Sequence, residues 1–379
     1  MTDTFPYLSM FIATPEQERL YSRGAAEQWG VPNGLTVDEF VAADEVRSQA
    51  AHANNGKSLS WVLAPRDDPT TLDFRCACST YRRTALIKRP NDAEPQEVHS
   101  YIIVGVLTPP QNRGKGYASL MMRLVHDLVG ANVLPEGLSR PTDFHPAQFS
   151  ILYSGVGPKF YATSRPYSQG FSKDLDYGVG WIPRDSTSSV YIIPEGVHVE
   201  KDLPDGWRWL QHDEMAALWE NEKQFIAEGM QNTSQSSQVL FSVLPSGGVE
   251  EFQRAWAHYL YDKLDPPMNI AGAVRNDARA VVSWALNGEK EPRGLILTRL
   301  RADSEQDGED VLRAAIALTA QHGLREVEMW NMPLHLRGAA AKLGFAQKER
   351  VDILPSFKWY GPERPEDVVW MNNERYCWM

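Results

Sequence analysis

The sequence predicts an α/β (α+β) protein of two domains, and three observations lead there. At 379 residues the chain exceeds what one compact core ordinarily holds. An apolar, β-branched run from Tyr101 to Leu107 passes through a proline and glycine turn into an amphipathic helix, a strand-turn-helix unit. The second half then repeats the order of the first: strand, helix, strand, helix. The domains are placed at 1–195 and 196–379.

Composition narrows the class. A 42% hydrophobic fraction with 10% aromatic residues is that of a globular protein. The net charge of −11 argues against nonspecific nucleic-acid binding and suits a cationic substrate. No apolar run reaches 18 residues, and the start, MTDTFPYLSMFIATPEQERLY, lacks the basic and apolar regions of a signal peptide, so no membrane association is expected. Cys76, Cys78 and Cys377 are too few for a disulfide framework or a structural zinc site. They read as reduced thiols in a cytoplasmic protein, with no metal.

In chain order, residues 7–12 read as a strand and Pro15, followed by Glu16 and Glu18, opens a helix. A second helix follows at 37–53, and 60–64 with 71–87 read as paired strands. After the strand at 101–107, Pro109 and Pro110 end the ladder because neither can donate to it. Gln111, Asn112, Arg113, Gly114, Lys115 and Gly116 form the turn. From Tyr117, the residues Leu120, Met121, Leu124, Val125 and Leu128 make one helical stripe. The turn is therefore a helix N-terminus, with unpaired N–H groups, the positive end of the dipole, two glycines and two cations. This is a phosphate cradle in outline, although an ordinary strand-turn-helix with basic surface residues would look similar. Neither a P-loop nor a dinucleotide fingerprint is present.

The turn resembles the Q/R-x-x-G-x-G/A pyrophosphate motif of the GNAT superfamily of acetyl-CoA-dependent N-acetyltransferases. A second motif supports the likeness. The strand 149–153 leads into Ser154, Gly157, Phe160 and Tyr161, spaced as in the superfamily's N-x-x-A-x-x-F-Y, with Ser and Gly in place of Asn and Ala. The resemblance implies tandem GNAT-like domains with mixed, mostly antiparallel sheets flanked by helices. It implies that acetyl-CoA lies on Val106, Leu107 and Thr108, on Asn112, Arg113, Gly114, Lys115, Gly116, Tyr117 and Ala118, and near Ser154. Tyr161 matches the general acid for the departing thiolate, with a core-edge packing role as the alternative. Superfamily members pass quickly from Phe-Tyr to a Gly-Phe or Gly-Trp strand, so here Gly170-Phe171 or Gly180-Trp181 is delayed by an inserted segment, a possible lid. A short strand at 189–194 closes the first half.

In the second half, 214–230 and 248–263 read as helices around a Ser-rich excursion at 233–238. Strands at 280–286 and 294–300, a helix at 309–322 ended by Gly323, a strand at 326–330 and a helix at 331–345 closing in K-L-G-F follow. Where the first half has QNRGKG, this half has RADSEQDGED, whose carboxylates oppose a pyrophosphate. The second domain therefore reads as degenerate, with an unrelated α/β domain as the alternative.

The phrases TPPQNRGKGYASLMM and SILYSGVGPKFYA, with the long second half and the ending VVWMNNERYCWM, resemble the fungal lysine N-acetyltransferase family. That resemblance implies transfer of acetyl to the ε-amine of free lysine, at the start of lysine degradation. Another amine, a polyamine, drug-like amine or protein lysine, is the alternative acceptor. A non-catalytic acyl-CoA-binding regulator is the alternative class. Glu97, His99 and Tyr101 are candidate bases, and His126 reads as structural. Tandem enzymes such as N-myristoyltransferases use their terminal carboxylate as a base, which makes the carboxylate of Met379 a further candidate. Anchoring by Trp378 on the second domain is the competing reading of that tail.

Overall fold

A computed structural model describes residues 5–170, 178–196, 203–233, 237–288 and 291–379. The chain runs β1 (Leu8–Ile12), α1 (Pro15–Ala25), α2 (Val37–Ser48), β2 (Ser58–Pro65), β3 (Cys76–Lys88), β4 (Gln96–Leu107), α3 (Tyr117–Gly130), β5 (Phe149–Ser154), α4 (Lys159–Ala162), β6 (Ile182–Pro183) and β7 (Thr187–Ile192). It continues with β8 (Trp207–Gln211), α5 (Met215–Glu220), α6 (Glu222–Asn232), β9 (Val239–Val243), α7 (Glu251–Trp256), α8 (His258–Tyr261), β10 (Ile270–Arg275), β11 (Val281–Asn287) and β12 (Gly294–Arg301). It ends with α9 (Glu305–Gln321), β13 (Glu326–Trp330), α10 (Arg337–Leu343), β14 (Ala346–Glu349), β15 (Leu354–Trp359) and β16 (Val368–Trp370).

Local chemistry explains the ends of the principal helices. Thr14 and Gln17 form a reciprocal capping box ahead of Pro15, and Thr36 with Glu39 does the same for α2. The helix expected at 331–345 shortens to α10, because Asn331 is left-handed (φ 49°) and Pro333 follows it. Strand β3 starts later than the pattern at 71–87 suggested, since the Gln17 amide holds the carbonyls of Pro69 and Thr71 in a loop.

Two sheets result. The first has the order β1-β2-β3-β4-β5-β15-β6, with β9 added to β3 and β16 to β9. The second, read from its other edge, is β8-β10-β11-β12-β13-β7-β14. The two orders correspond position by position, with β4–β5 and β12–β13 as the parallel pair of each and most other pairs antiparallel. Mixed, mostly antiparallel sheets and a structural repeat are thus present.

The repeat exchanges strands. Strand β7, from the first half, lies between β13 and β14, whereas β15, from the second half, lies between β5 and β6. The chain consequently divides into one unit of 1–184, 227–243 and 352–370 and another of 185–226, 244–351 and 371–379. The boundary expected at 195 falls within the second of these units. The strand expected to close the first half is part of the second sheet, because pairing depends on non-local partners rather than on local pattern.

Each unit has its own core. In the first, α3 buries Leu120, Met121, Leu124, Val125 and Leu128 against Trp61, Leu63, Cys76, Cys78, Tyr101 and Ile103 of the sheet. On the opposite face Tyr21 packs on Val62, Phe74, Ala77 and Leu107. In the second, Val311, Leu312 and Ala315 of α9 pack on Trp284, Leu297 and Val327. Among the described residues no helix is long and apolar enough to cross a membrane, and no cluster of metal-ligating side chains occurs.

Candidate active site

The site of the first unit begins where two parallel strands part. Strands β4 and β5 pair only at Ser100–Ile102 with Phe149–Ile151, and both then continue without a common ladder. The β4 edge beyond Ile102 therefore carries backbone groups that a ligand can pair with. Within that stretch β4 bulges: Leu107 pairs with Ala77 and Val104 with Ser79, so Gly105 and Val106 together face Cys78. Gly105 has φ 62°, and its carbonyl accepts the Tyr21 hydroxyl at 2.7 Å. Val106 and Leu107 lie on this open edge, with Thr108 just beyond the strand, and the Leu107 side chain is spent in the core.

At the end of β4 the turn reaches α3. Gly114 (φ 75°) and Gly116 (φ 88°) adopt the left-handed conformation that glycine accepts without strain. Helix α3 has Gly116 as N-cap and no side-chain cap, and its first bond runs from Leu120 N–H to the Gly116 carbonyl. The N–H groups of Tyr117 and Ala118 thus point out of the helix end, unsatisfied by the helix itself. A Cβ at Gly114 would meet nothing within 4 Å, and one at Gly116 only Phe5 at 3.8 Å. Among the described residues the space in front of this helix end is open, and the residues present fit a diphosphate.

Not every residue expected at that loop faces it. Asn112 is buried, and its amide donates to the Phe74 carbonyl at 3.3 Å, so it fixes the turn from behind. The Arg113 guanidinium donates to Thr108 O (3.1 Å) and Gln28 Oε1 (3.0 Å), which ties the loop to the strand. Tyr117 is buried with its ring 5.0 Å from Phe5. Lys115 is exposed. The Ser154 hydroxyl donates to Gly157 O at 2.6 Å and accepts from Val156 N–H at 3.3 Å, so it closes the turn after β5 instead of offering a group to a ligand.

Tyr161, on α4, packs edge-on against Phe160 and Trp181. Its hydroxyl has no hydrogen-bond partner among the described residues. Burial, and then the Cys78 and Cys76 thiols, push its pKa up, so it holds its proton at neutral pH. Tyr161 packs against the core cluster that holds Cys76 and Cys78 of β3, on the α3 face of the sheet. The delayed glycine-aromatic pair is Gly180-Trp181: Trp181 N–H donates to Tyr161 O at 3.0 Å. Phe171 and the middle of the inserted segment lie outside the described residues, as does the centre of the excursion at 233–238.

On the other sheet face Tyr21, Ser60, Ser79 and Tyr81 form a polar floor beside the bulge. Glu18 lies one turn before Tyr21 on the exposed side of α1, and its partial burial pushes its carboxyl up. Asp44 accepts from Ser22 (2.8 Å) and Arg47 (3.2 Å). Sequence reasoning missed Tyr21 and Glu18, which carry no local signature, but Gly105 inside a β-branched run was a readable bulge signal. Of the candidate bases, Glu97 and His99 lie at the other end of β4, and Tyr101 lies at its middle, four residues from Gly105. His99 is six residues from Gly105, about 20 Å along a strand, and stacks on His145, while Tyr101 donates to His145 O. That distance removes Glu97 and His99 as bases at the bulge, and the Tyr101 hydroxyl is engaged by the His145 carbonyl.

The second unit has the same strand plan but not the same site. Ser304 caps α9 by accepting from Asp307 N–H at 3.1 Å, so this helix end is already satisfied. The acidic residues here are paired, Asp307 with Arg275, Glu305 with Lys342 (3.0 Å) and Glu309 with Arg313 (2.6 Å). Beyond the paired stretch of β12 and β13, Glu374 accepts Leu300 N–H at 2.8 Å and pairs with Arg299, and Asn331 donates to Asn373 O at 2.6 Å. The terminal segment thus fills the gap that, among the described residues, stays open in the first unit. Within the same unit Gln253 donates to Trp378 O at 2.6 Å, and Trp378 packs on Trp256 and Arg375, ahead of Met379.

A splayed parallel pair with a bulge, followed by an uncapped glycine-led helix, is the frame of the GNAT fold; the second unit repeats its strand plan with a helix that Ser304 caps. Residues 194–379 match the family described as the LYC1 GNAT-like C-terminal domain. A lysine acetyltransferase of Yarrowia lipolytica is 29% identical over 112 residues, 30% of this chain and 27% of that protein. Similar solved structures include a GCN5-related N-acetyltransferase from Kribbella flavida (16% identity, TM-score 0.52, 93% of this chain and 71% of that one). A probable N-acyltransferase from Enterococcus faecalis is comparable (10% identity, TM-score 0.52, 93% and 72%). At these identities the solved structures establish the fold. The chain has tandem GNAT-like domains and resembles the fungal lysine N-acetyltransferase family, its match spanning about a quarter of the curated relative.

Proposed function

We propose that the chain is an acetyl-CoA-dependent N-acetyltransferase acting on a small cationic amine. The resemblance to the fungal family favours the ε-amine of free lysine. The observation that carries the reading is the meeting, in one unit, of the open β4 edge, the uncapped α3 N-terminus and the Tyr161 hydroxyl.

Acetyl-CoA supplies an acetyl group activated as a thioester. Gly114, Lys115, Gly116 and the N–H groups of Tyr117 and Ala118 hold its diphosphate, and the edge from Val106 to Thr108 pairs with its pantetheine arm. As the amine nitrogen bonds the acetyl carbon, the C–S bond breaks and the sulfur leaves with the electron pair. Tyr161 gives that sulfur a proton. The amine must first lose one, since an unperturbed lysine has a pKa of about 10.4. Glu18 supplies a carboxyl beside the bulge, and the Met379 carboxylate is the second candidate base. Asp44 and Glu18 give the acceptor face the negative charge a cation requires. The three cysteines are free and buried, as suits a reducing, cytoplasmic setting.

The test is release of coenzyme A thiol from acetyl-CoA with free lysine, spermidine, an aminoglycoside and a lysine peptide. Lysine is expected to be the preferred acceptor. Preference for another amine moves the assignment within the class, and binding of acetyl-CoA without release for any amine favours a regulator.

A further inference from the structure

Beneath Tyr161 lies a buried histidine for which the transfer chemistry has no use. His126 is 1% exposed, on the face of α3 turned to α4 and the inserted segment. Its Nε2 lies 2.7 Å from the Ser164 carbonyl, and its ring stacks on Trp181 with centroids 3.7 Å apart. A carbonyl can only accept, so Nε2 carries the proton, and Nδ1 is left without a hydrogen-bond partner among the described residues. Burial, with Lys358 nearby, holds the ring neutral.

Both groups that His126 fixes act on Tyr161. Ser164 N–H and Trp181 N–H converge on the Tyr161 carbonyl at 3.2 and 3.0 Å. The Ser164 hydroxyl donates to Phe160 O at 3.0 Å, and Gly178 and Gly180 both donate to Ala162 O at 3.0 Å. Gly180 permits this approach, since a Cβ there would lie 2.0 Å from Tyr161 O. Trp181 is itself fixed from below, its indole donating to Ser150 Oγ at 2.9 Å, which contacts the Tyr360 hydroxyl at 2.8 Å. Helix α4 has four residues and could not hold a side chain in place alone.

We infer that His126 is a positioning residue for Tyr161: through Ser164 and Trp181 it clamps the backbone that aims the hydroxyl at the leaving sulfur. The inference rests on the proposed role of Tyr161. It extends that role by naming what a short, weakly held helix borrows from the rigid α3.

The test is a double-mutant cycle on the full chain, with thermal unfolding and acetyl-CoA affinity measured beside turnover. His126→Phe keeps a ring on Trp181 and removes the donor to Ser164. It is expected to lower kcat by about 10- to 100-fold, the scale of a misplaced catalytic group, with acetyl-CoA affinity unchanged. His126→Gln, which carries a donor near the Nε2 position, recovers most of that loss. His126→Asn, whose donor falls short, does not. In a Tyr161→Phe background His126→Phe costs nothing further, because the group it positions is gone. Should the Phe variant fail to fold, the Gln and Asn pair carries the same contrast. An equal loss in both backgrounds, or parental turnover in His126→Phe while Tyr161→Phe is impaired, overturns the positioning role alone. Parental turnover in Tyr161→Phe overturns the acid role and the positioning inference with it.

Discussion

Replacing Gly116 with alanine separates the folding role of the α3 loop from its ligand role. The residue sits at φ 88°, where an L side chain costs about 1–2 kcal/mol. Its Cβ would touch the protein only at Phe5, 3.8 Å away, so strain is the whole local penalty and the fold should survive. At roughly 2–4 °C per kcal/mol, the melting temperature should drop by only a few degrees. That methyl group would occupy the space before the helix N-terminus. Losing one hydrogen bond from a backbone N–H to a charged phosphate removes about 1.5–3 kcal/mol, or roughly 10- to 150-fold in affinity. Gly323→Ala is the matched control, with φ 65° and nothing within 4 Å, at the C-terminal end of α9. Thermal unfolding and acetyl-CoA titration calorimetry on both variants are the assays. Similar melting temperatures with weakened binding in Gly116→Ala alone are expected. Unchanged affinity in that variant would refute the diphosphate cradle.

Four further outcomes follow from the structure. Tyr161→Phe should lower turnover by roughly 10²- to 10⁴-fold at unchanged acetyl-CoA affinity, and steady-state kinetics with normal turnover would reduce Tyr161 to packing. One glycine added after Met379 displaces the terminal carboxylate by up to about 3.5 Å, so loss of turnover at unchanged stability supports it as the base, while full activity leaves Glu18, checked by Glu18→Gln. Burial and Arg83 hold His52 down to about 3, and burial and Lys358 hold His126 well below 6.5, so below pH 6.5 the unfolded chain binds more protons and stability falls with pH. The slope is about 1.4 kcal/mol per pH unit for each histidine, and urea midpoints that do not fall between pH 7 and 5 would contradict it. Finally, a chain ending at residue 195 lacks β15 and exposes the long edge of β5, so it should aggregate; a folded monomer by gel filtration and circular dichroism would count against the strand exchange.

Much of this architecture was legible in the sequence because it is written locally. The period of Leu120, Met121, Leu124 and Val125, the two glycines before it and the prolines after β4 each act within a few residues. The short apolar runs at 280–286 and 294–300 likewise placed β11 and β12. What stayed hidden depends on partners far along the chain. Nothing in TSSVYI says that β7 joins β13 and β14, and nothing in LPSFKW says that β15 joins β5, since either would satisfy any half-buried neighbour. The site shows the same division. The cradle glycines were readable from chain conformation alone, whereas the inward turn of Asn112, the internal bonds of Ser154 and the approach of Tyr21 to Gly105 depend on contacts such as Phe74 that only the fold supplies. The second copy differs from the first for more than the acidic loop suggested. Those carboxylates are matched by Arg275, Lys342 and Arg313, and the capped helix with the Glu374 segment closes the place a ligand would take.

Mass spectrometry of an amine incubated with acetyl-CoA and the protein, with released thiol counted in parallel, bears most directly on the proposed chemistry. The expected result is N-acetylated lysine, with one free coenzyme A for each acetyl group transferred and the yield sharply reduced in Tyr161→Phe. Acetyl-CoA left intact, or hydrolysed with no acetylated amine, would contradict it.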